Sequence, residues 1–122
     1  MLDDAYVCDE HIVEEYENHP KVLEGMKSGR FVVLKCGDFA VHVYKGHTRD
    51  YIVDPCRFCS CYDFLINVLS RRKKSACYHT AGFVIARRKG KLKILSVTPS
   101  EFRDIVVEIS LFGLSTRLRR YV

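Results

Sequence analysis

The chain has no G-x-x-x-x-G-K-[ST] loop to cradle nucleotide phosphates and no G-x-S-x-G elbow to present a nucleophilic serine. No apolar run approaches the roughly 18 residues that a membrane-spanning helix needs. The start, Met1-Leu2-Asp3-Asp4, is acidic where a secretory leader is basic and then apolar. Internal repeats and low-complexity linkers are absent as well, so the 122 residues are expected to form a single domain, 1–122, around one modest core. Together these absences lead to the expectation of a protein with no membrane partner in a reducing interior, cytoplasmic or, in a nucleated cell, nuclear, where thiols persist.

Six cysteines are present, and their spacing is the clearest chemical feature. Cys59-Ser60-Cys61 and Cys77-Tyr78-His79 are two pairs, each with one residue between its members, and 15 residues lie between the pairs. In extended or tightly turned backbone such partners point the same way and can converge on one ion. Three thiolates and one imidazole suit tetrahedral zinc, whose binding would add to the folding energy. Cys56 complicates the choice, because with Cys59 it makes a C-x-x-C. On chemistry alone the quartet Cys56, Cys59, Cys77 and His79 stands beside Cys59, Cys61, Cys77 and His79. Either set of four would close the coordination sphere and leave no position for an activated water, so an enzyme is not expected. Cys8 and His11 on a helix read as packing and surface, and His42 and His47 as sheet-face and turn residues.

Charge is divided unevenly along the chain. Residues 1–24 hold eight acids against Lys21 alone, whereas the remainder carries 19 basic and seven acidic side chains. Within residues 55–98 ten cations face only Asp63. Arg71-Arg72-Lys73-Lys74 falls between the ligand pairs, where a metal would tie down both ends, and Arg87, Arg88, Lys89 and Lys91 make a second cluster. Such a surface fits an anionic partner, nucleic acid above all. The competing account is a solvated face whose cations sit favourably at helix C-termini. Phe58, Tyr62 and Tyr78 read as the mini-core of a small zinc site or as stacking platforms for bases.

The predicted fold class is α+β. Helical spacing of Val7, Cys8, Ile12 and Tyr16 predicts a helix over residues 4–18 capped by Asp3 or Asp4, and Pro20 starts a second one to about Lys27. Phe31–Cys36 and Phe39–Tyr44, joined by Gly37-Asp38, read as a type II′ hairpin. Tyr51–Val53 completes a three-stranded antiparallel meander. Residues 62–69 predict a short helix with Phe64, Leu65, Val68 and Leu69 inward. Cys77 and His79 open the next helix, which ends near Arg88. Leu92–Val97 reads as extended. Thr98, Pro99 and Glu101 form a capping box for a helix with Phe102, Ile105, Val106, Ile109 and Phe112 on one face, closed by Gly113. Arg117, Arg119 and Arg120 make a basic tail. This divides the chain into an acidic helical segment (1–29), a hairpin with the zinc module (30–90), and a strand with the C-terminal helix (91–122).

Around the ligand pairs the sequence resembles the SWIM zinc finger, whose pattern is C-x-C, a variable gap, then C-x-H. The match lies in Phe58-Cys59-Ser60-Cys61-Tyr62-Asp63-Phe64 and Cys77-Tyr78-His79-Thr80-Ala81, and with the preceding hairpin it covers roughly residues 31–86. The resemblance implies that Cys59, Cys61, Cys77 and His79 hold the zinc and that Cys56 is a nearby free thiol. It further implies a relation to stand-alone SWIM proteins akin to Shu-complex recombination mediators. That relation implies DNA binding in recombination or repair and a partner of the RecA-family recombinase type, with homo-oligomerisation left open. The alternative is a protein-interaction module with a purely structural zinc. Tyr78 stands where the family commonly has a lysine, and Thr80-Ala81-Gly82 where it has a leucine-alanine step.

Overall fold

Local capping signals set the first elements of the computed structural model, which describes residue 6 and residues 8–121. Helix α1, Glu10–Tyr16, begins where the Asp9 carboxylate accepts the His11 N–H at 2.9 Å, so it is shorter than the spacing predicts. The Asp3 and Asp4 caps lie outside the described residues. Helix α2, Pro20–Lys27, has Pro20 at its first turn, and His19 Nδ1 accepts the Lys21 N–H at 3.1 Å. Strands β1, Phe31–Cys36, and β2, Phe39–Lys45, pair antiparallel across Gly37-Asp38. Only Gly37 of the two has a positive φ, +59°, as a II′ turn requires.

The sheet is larger than a three-stranded meander. Strand β3, Asp50–Asp54, pairs with β2, and the short β4, Phe58–Cys59, returns against β3. Strand β5, Lys93–Ser96, adds to the far side of β1 in parallel, giving a five-stranded mixed sheet in the order β4-β3-β2-β1-β5 among the described residues. Parallel pairing needs a long crossover, here through helix α3, Tyr78–Arg88, so no turn signal announces it. The class is α+β, with helices on both faces of the sheet.

Alternation distributes the core. Phe31 lies opposite Tyr44 on one face and packs against Phe83 and Ala86 of α3. Val32, Leu34 and Val43 point the other way, onto Ile105 and Ile109 of helix α4, Pro99–Phe112, and Leu118 of α5, Thr116–Arg119. Each such aliphatic side chain, fully buried, contributes about 1.5–3 kcal/mol. Helix α3 approaches the sheet closely at Gly82, where a Cβ would stand 2.6 Å from the Phe31 ring. From outside, Val13 and Tyr16 of α1 cover Ala81, Val84 and Ile85.

Helix α4 has its predicted box: Thr98 Oγ1 accepts the Glu101 N–H and the Glu101 carboxylate accepts the Thr98 N–H at 3.1 Å, with Gly113 at φ +71° closing the helix. The apolar face stops at Ile109, because Phe112 is 72% exposed. Nor is the tail loose. Arg119 binds Asp50 and the Gly46 carbonyl, each at 2.7 Å, and Arg117 pairs with Glu108 at 3.3 Å.

Two further departures lie near the cysteines. The helix predicted over residues 62–69 is a π-helix, Phe64–Ser70, with the Arg71 N–H reaching Ile66 O five residues back at 2.7 Å. Its wider turn buries Phe64 but leaves Leu65 and Leu69 exposed. Cys56, expected as a free thiol, is bonded to Cys8 in a disulfide, with Cα atoms 5.6 Å apart and a sequence separation of 48. That pairing fixes the entry to α1 against the turn before β4, and it removes Cys56 from the ligand candidates. Among the described residues no helix is long and apolar enough to cross a membrane.

Candidate metal centre and basic surroundings

The second strand pair and the start of α3 bring the ligand candidates together. Cys59 ends β4 opposite Val53, on the sheet face that α3 covers. Cys61 follows in the turn into the π-helix, where its sulfur accepts the Phe64 N–H at 3.3 Å. Cys77 caps α3, and His79 lies in its first turn. The Thr80 hydroxyl accepts the Cys77 N–H at 3.2 Å and donates to the Cys77 carbonyl at 2.9 Å, which fixes the backbone on which Cys77 and His79 are mounted.

Cys59, Cys61, Cys77 and His79 are all buried, and their ligand atoms lie within 4.8 Å of one another. His79 Nδ1 is 3.6 Å from Cys59 Sγ and 3.7 Å from Cys77 Sγ. A tetrahedral ion with metal–sulfur bonds of about 2.3 Å and metal–nitrogen bonds of about 2.0 Å sets such edges at about 3.5–3.8 Å. The cluster can therefore hold a metal ion, and its donor set is consistent with zinc.

Proton sharing among the sulfurs supports the same reading. Hydrogen bonds from Cys59 and Cys61 drive the Cys77 thiol far down, whereas Cys59, tied to Cys61 and Cys77 and desolvated, is driven far up. The bond from Cys59 pulls Cys61 down, but the bond to Cys77 and burial outweigh it, leaving that thiol at about 11. The three sulfurs thus form one hydrogen-bonded cluster. A divalent ion in their midst replaces the thiol protons and ionises all three.

Three tyrosines surround the imidazole, a feature that linear spacing does not reveal. Ring centroids of Tyr78, Tyr44 and Tyr51 lie 4.0, 4.3 and 4.9 Å from that of His79. Tyr44 and Tyr51 sit opposite each other on β2 and β3, so the sheet register delivers both to one spot. Tyr78 thus belongs to the aromatic surround of the centre, whereas Tyr62 is 82% exposed and Phe58 39%.

The sequence-predicted cations fall at the two ends of α3. Arg71, Arg72, Lys73 and Lys74 occupy the exposed loop before Cys77, with Arg72 at φ +53°. Arg87, Arg88, Lys89 and Lys91 are exposed around its C-terminus, about 15 Å along the axis. They are not equally available. Lys74 pairs with Asp63 at 2.6 Å, and Arg88 makes two bonds to Glu10 of α1, at 2.7 and 2.9 Å. Arg87 stacks over the Tyr6 ring at 5.5 Å. The side chains of Arg71, Arg72, Lys73, Lys89 and Lys91 make no ion pair among the described residues.

A cleft of about 600 Å³ opens between β3–β4 and the end of α4, lined in part by Ile52, Phe58, Leu111, Phe112 and Arg49. No family model, curated protein or solved structure matches the chain.

Proposed function

We propose that the chain is a zinc-stabilised nucleic-acid-binding protein of SWIM type, in which Cys59, Cys61, Cys77 and His79 hold the ion. The ion fixes the N-terminal end of α3, and the loop 71–74 presents its cations to phosphate. The observation that carries this reading is the buried Cys3His cluster, with Arg71, Arg72 and Lys73 exposed in the loop that leads to Cys77 and without acidic partners among the described residues. DNA is the expected ligand, in recombination or repair with a recombinase-type protein partner, as the family resemblance implies.

Counterion release supplies the test. Each duplex phosphate contact contributes about −0.9 to the slope of log affinity against log salt, so three contacts contribute about −2.7. Changing Arg71, Arg72 and Lys73 to glutamine should flatten the slope by that amount while zinc stoichiometry stays at about one per chain. An unchanged slope would remove the loop from the interface. Metal-free, fully folded protein from a zinc-replete preparation would remove the centre itself.

A second reading, a protein-interaction module with a structural zinc, draws support from the cleft beside Phe112 and Leu111, which are 72% and 70% exposed. Substituting serine for both should abolish partner capture and leave the salt slope untouched.

A further inference from the structure

His79 has a second edge that the metal centre does not use. With Nδ1 turned to the sulfurs, an ion bound there takes Nδ1 and leaves the ring proton on Nε2. That atom is buried and has no hydrogen-bond partner among the described residues. Metal-bound imidazoles ordinarily give this proton to an acceptor, which holds the ring in place.

The same ring lines a cavity of about 200 Å³ together with Tyr44, Tyr51 and Tyr78. The three tyrosines make ring contacts, but none of their hydroxyls is hydrogen-bonded among the described residues. A phenol carries its proton at neutral pH, so each of the three hydroxyls has one to donate. Lys21 and Arg49 also line the cavity, and neither makes an ion pair among the described residues. Its one carboxylate, Glu24, is already held by Arg30 at 3.0 Å and by Ser28 at 3.0 Å. The lining therefore offers four uncommitted N–H or O–H groups and two cations, with its only negative charge satisfied. Such an excess of donors matches a compact anion and not a cation, although the faces of the aromatic rings alone would favour a cation.

We propose that this cavity binds a phosphate-like oxyanion, with the Nε2–H of His79 and the tyrosine hydroxyls as donors and Lys21 and Arg49 as the compensating charges. Its volume is below the about 300–1,000 Å³ of drug-sized sites, in keeping with inorganic phosphate or a terminal phosphate ester. The first source is independent of the nucleic-acid reading; the second, a phosphorylated strand end, rests on it. Through His79 the anion would touch the metal's own ligand, so occupancy should register at the centre.

The test uses the full chain loaded with cobalt(II) in place of zinc, titrated with inorganic phosphate by calorimetry and by the visible spectrum of the cobalt. Tyr44→Phe and Tyr78→Phe each remove one hydroxyl and keep the ring, and Lys21→Gln serves as a surface variant that leaves the fold alone. Expected are saturable phosphate binding, a shift of the cobalt bands with the same midpoint, and a loss of about tenfold or more in affinity in each tyrosine variant and in Lys21→Gln, as for a bond to a charged group. Equal binding in all four proteins would mean an adventitious ion only and overturn the proposal. So would absence of phosphate binding, or saturable binding of tetramethylammonium in its place.

Oligonucleotides of one sequence with a 5′-phosphate or a 5′-hydroxyl then separate the sources. A preference for the phosphate that disappears in Tyr78→Phe supports the strand end. Equal affinity for the two, with inorganic phosphate still bound, supports free phosphate. If no oligonucleotide binds while phosphate does, the anion site stands and the nucleic-acid reading falls.

Discussion

Acid should weaken this fold through one histidine outside the metal centre. His42 lies on β2, is 5% exposed, and faces α3, where its ring meets Phe83 edge-on at 5.2 Å. The Tyr6 hydroxyl bonds its Nε2 at 2.7 Å. Desolvation lowers the ring from 6.5 to about 4, against a smaller upward pull from Asp54. The unfolded chain therefore binds a proton at higher pH than the folded one does. Stability from this group is fully present above the unfolded value, falls as pH drops through 6.5, and is exhausted near 4. At about 1.36 kcal/mol per unit the whole effect is about 3 kcal/mol, of which about 1.4 is lost by about pH 5.5. Denaturant unfolding of the wild type and of His42→Leu at about pH 7.5 and 5.5 isolates the term, since both proteins share the metal site and its own acid sensitivity. The gap between the two free energies should shift by about 1.4 kcal/mol in favour of the variant at the lower pH. An NMR titration of the ring gives the direct check. A midpoint near the ordinary 6.5, or a gap independent of pH, would refute the burial argument.

Two other expectations come from single contacts. The Cys8–Cys56 bond closes a loop spanning 48 residues, worth about 4 kcal/mol on the chain-entropy account. Cys8→Ser should therefore lower the denaturation midpoint, and reductant should lower that of the wild type but not of the variant. At Gly82 an added Cβ meets Phe31 Cζ at 2.6 Å and Cε1 at 2.8 Å, and Phe31 is fully buried with Gly25 against its other edge. Gly82→Ala should cost about 1–3 kcal/mol through overpacking, reduced by the roughly 1 kcal/mol gained in helix propensity; a stabilised variant would show that the ring can move.

What could be read from the chain divides by the distance over which each signal acts. Pro20, Gly37-Asp38, and the set Thr98, Pro99, Glu101 and Gly113 fix backbone within a few residues, and each element they delimit stands where they place it. The quartet Cys59, Cys61, Cys77 and His79 was legible for a related reason: two tight pairs need only one long-range closure to form a cluster. Everything that depended on a second closure was hidden. Strand β5 finds β1 some sixty residues back, and Cys8 finds Cys56, with no local pattern to announce either. The π-helix was hidden differently, because Phe64, Leu65, Val68 and Leu69 fit a 3.6-residue period that the backbone does not adopt. Cys61 bonds the Phe64 N–H, and Lys74 beyond the helix pairs with Asp63 before it, so both ends of the segment are held by contacts made outside it. A segment pinned at both ends accommodates its length by widening a turn, and that exposes Leu65 and Leu69. The cations at 71–74 thus take their position from the cysteine cluster and the sheet behind it more than from their own sequence. For this reason their charge was visible in the chain, while the pairing that removes Lys74 and Arg88 from the free set was not.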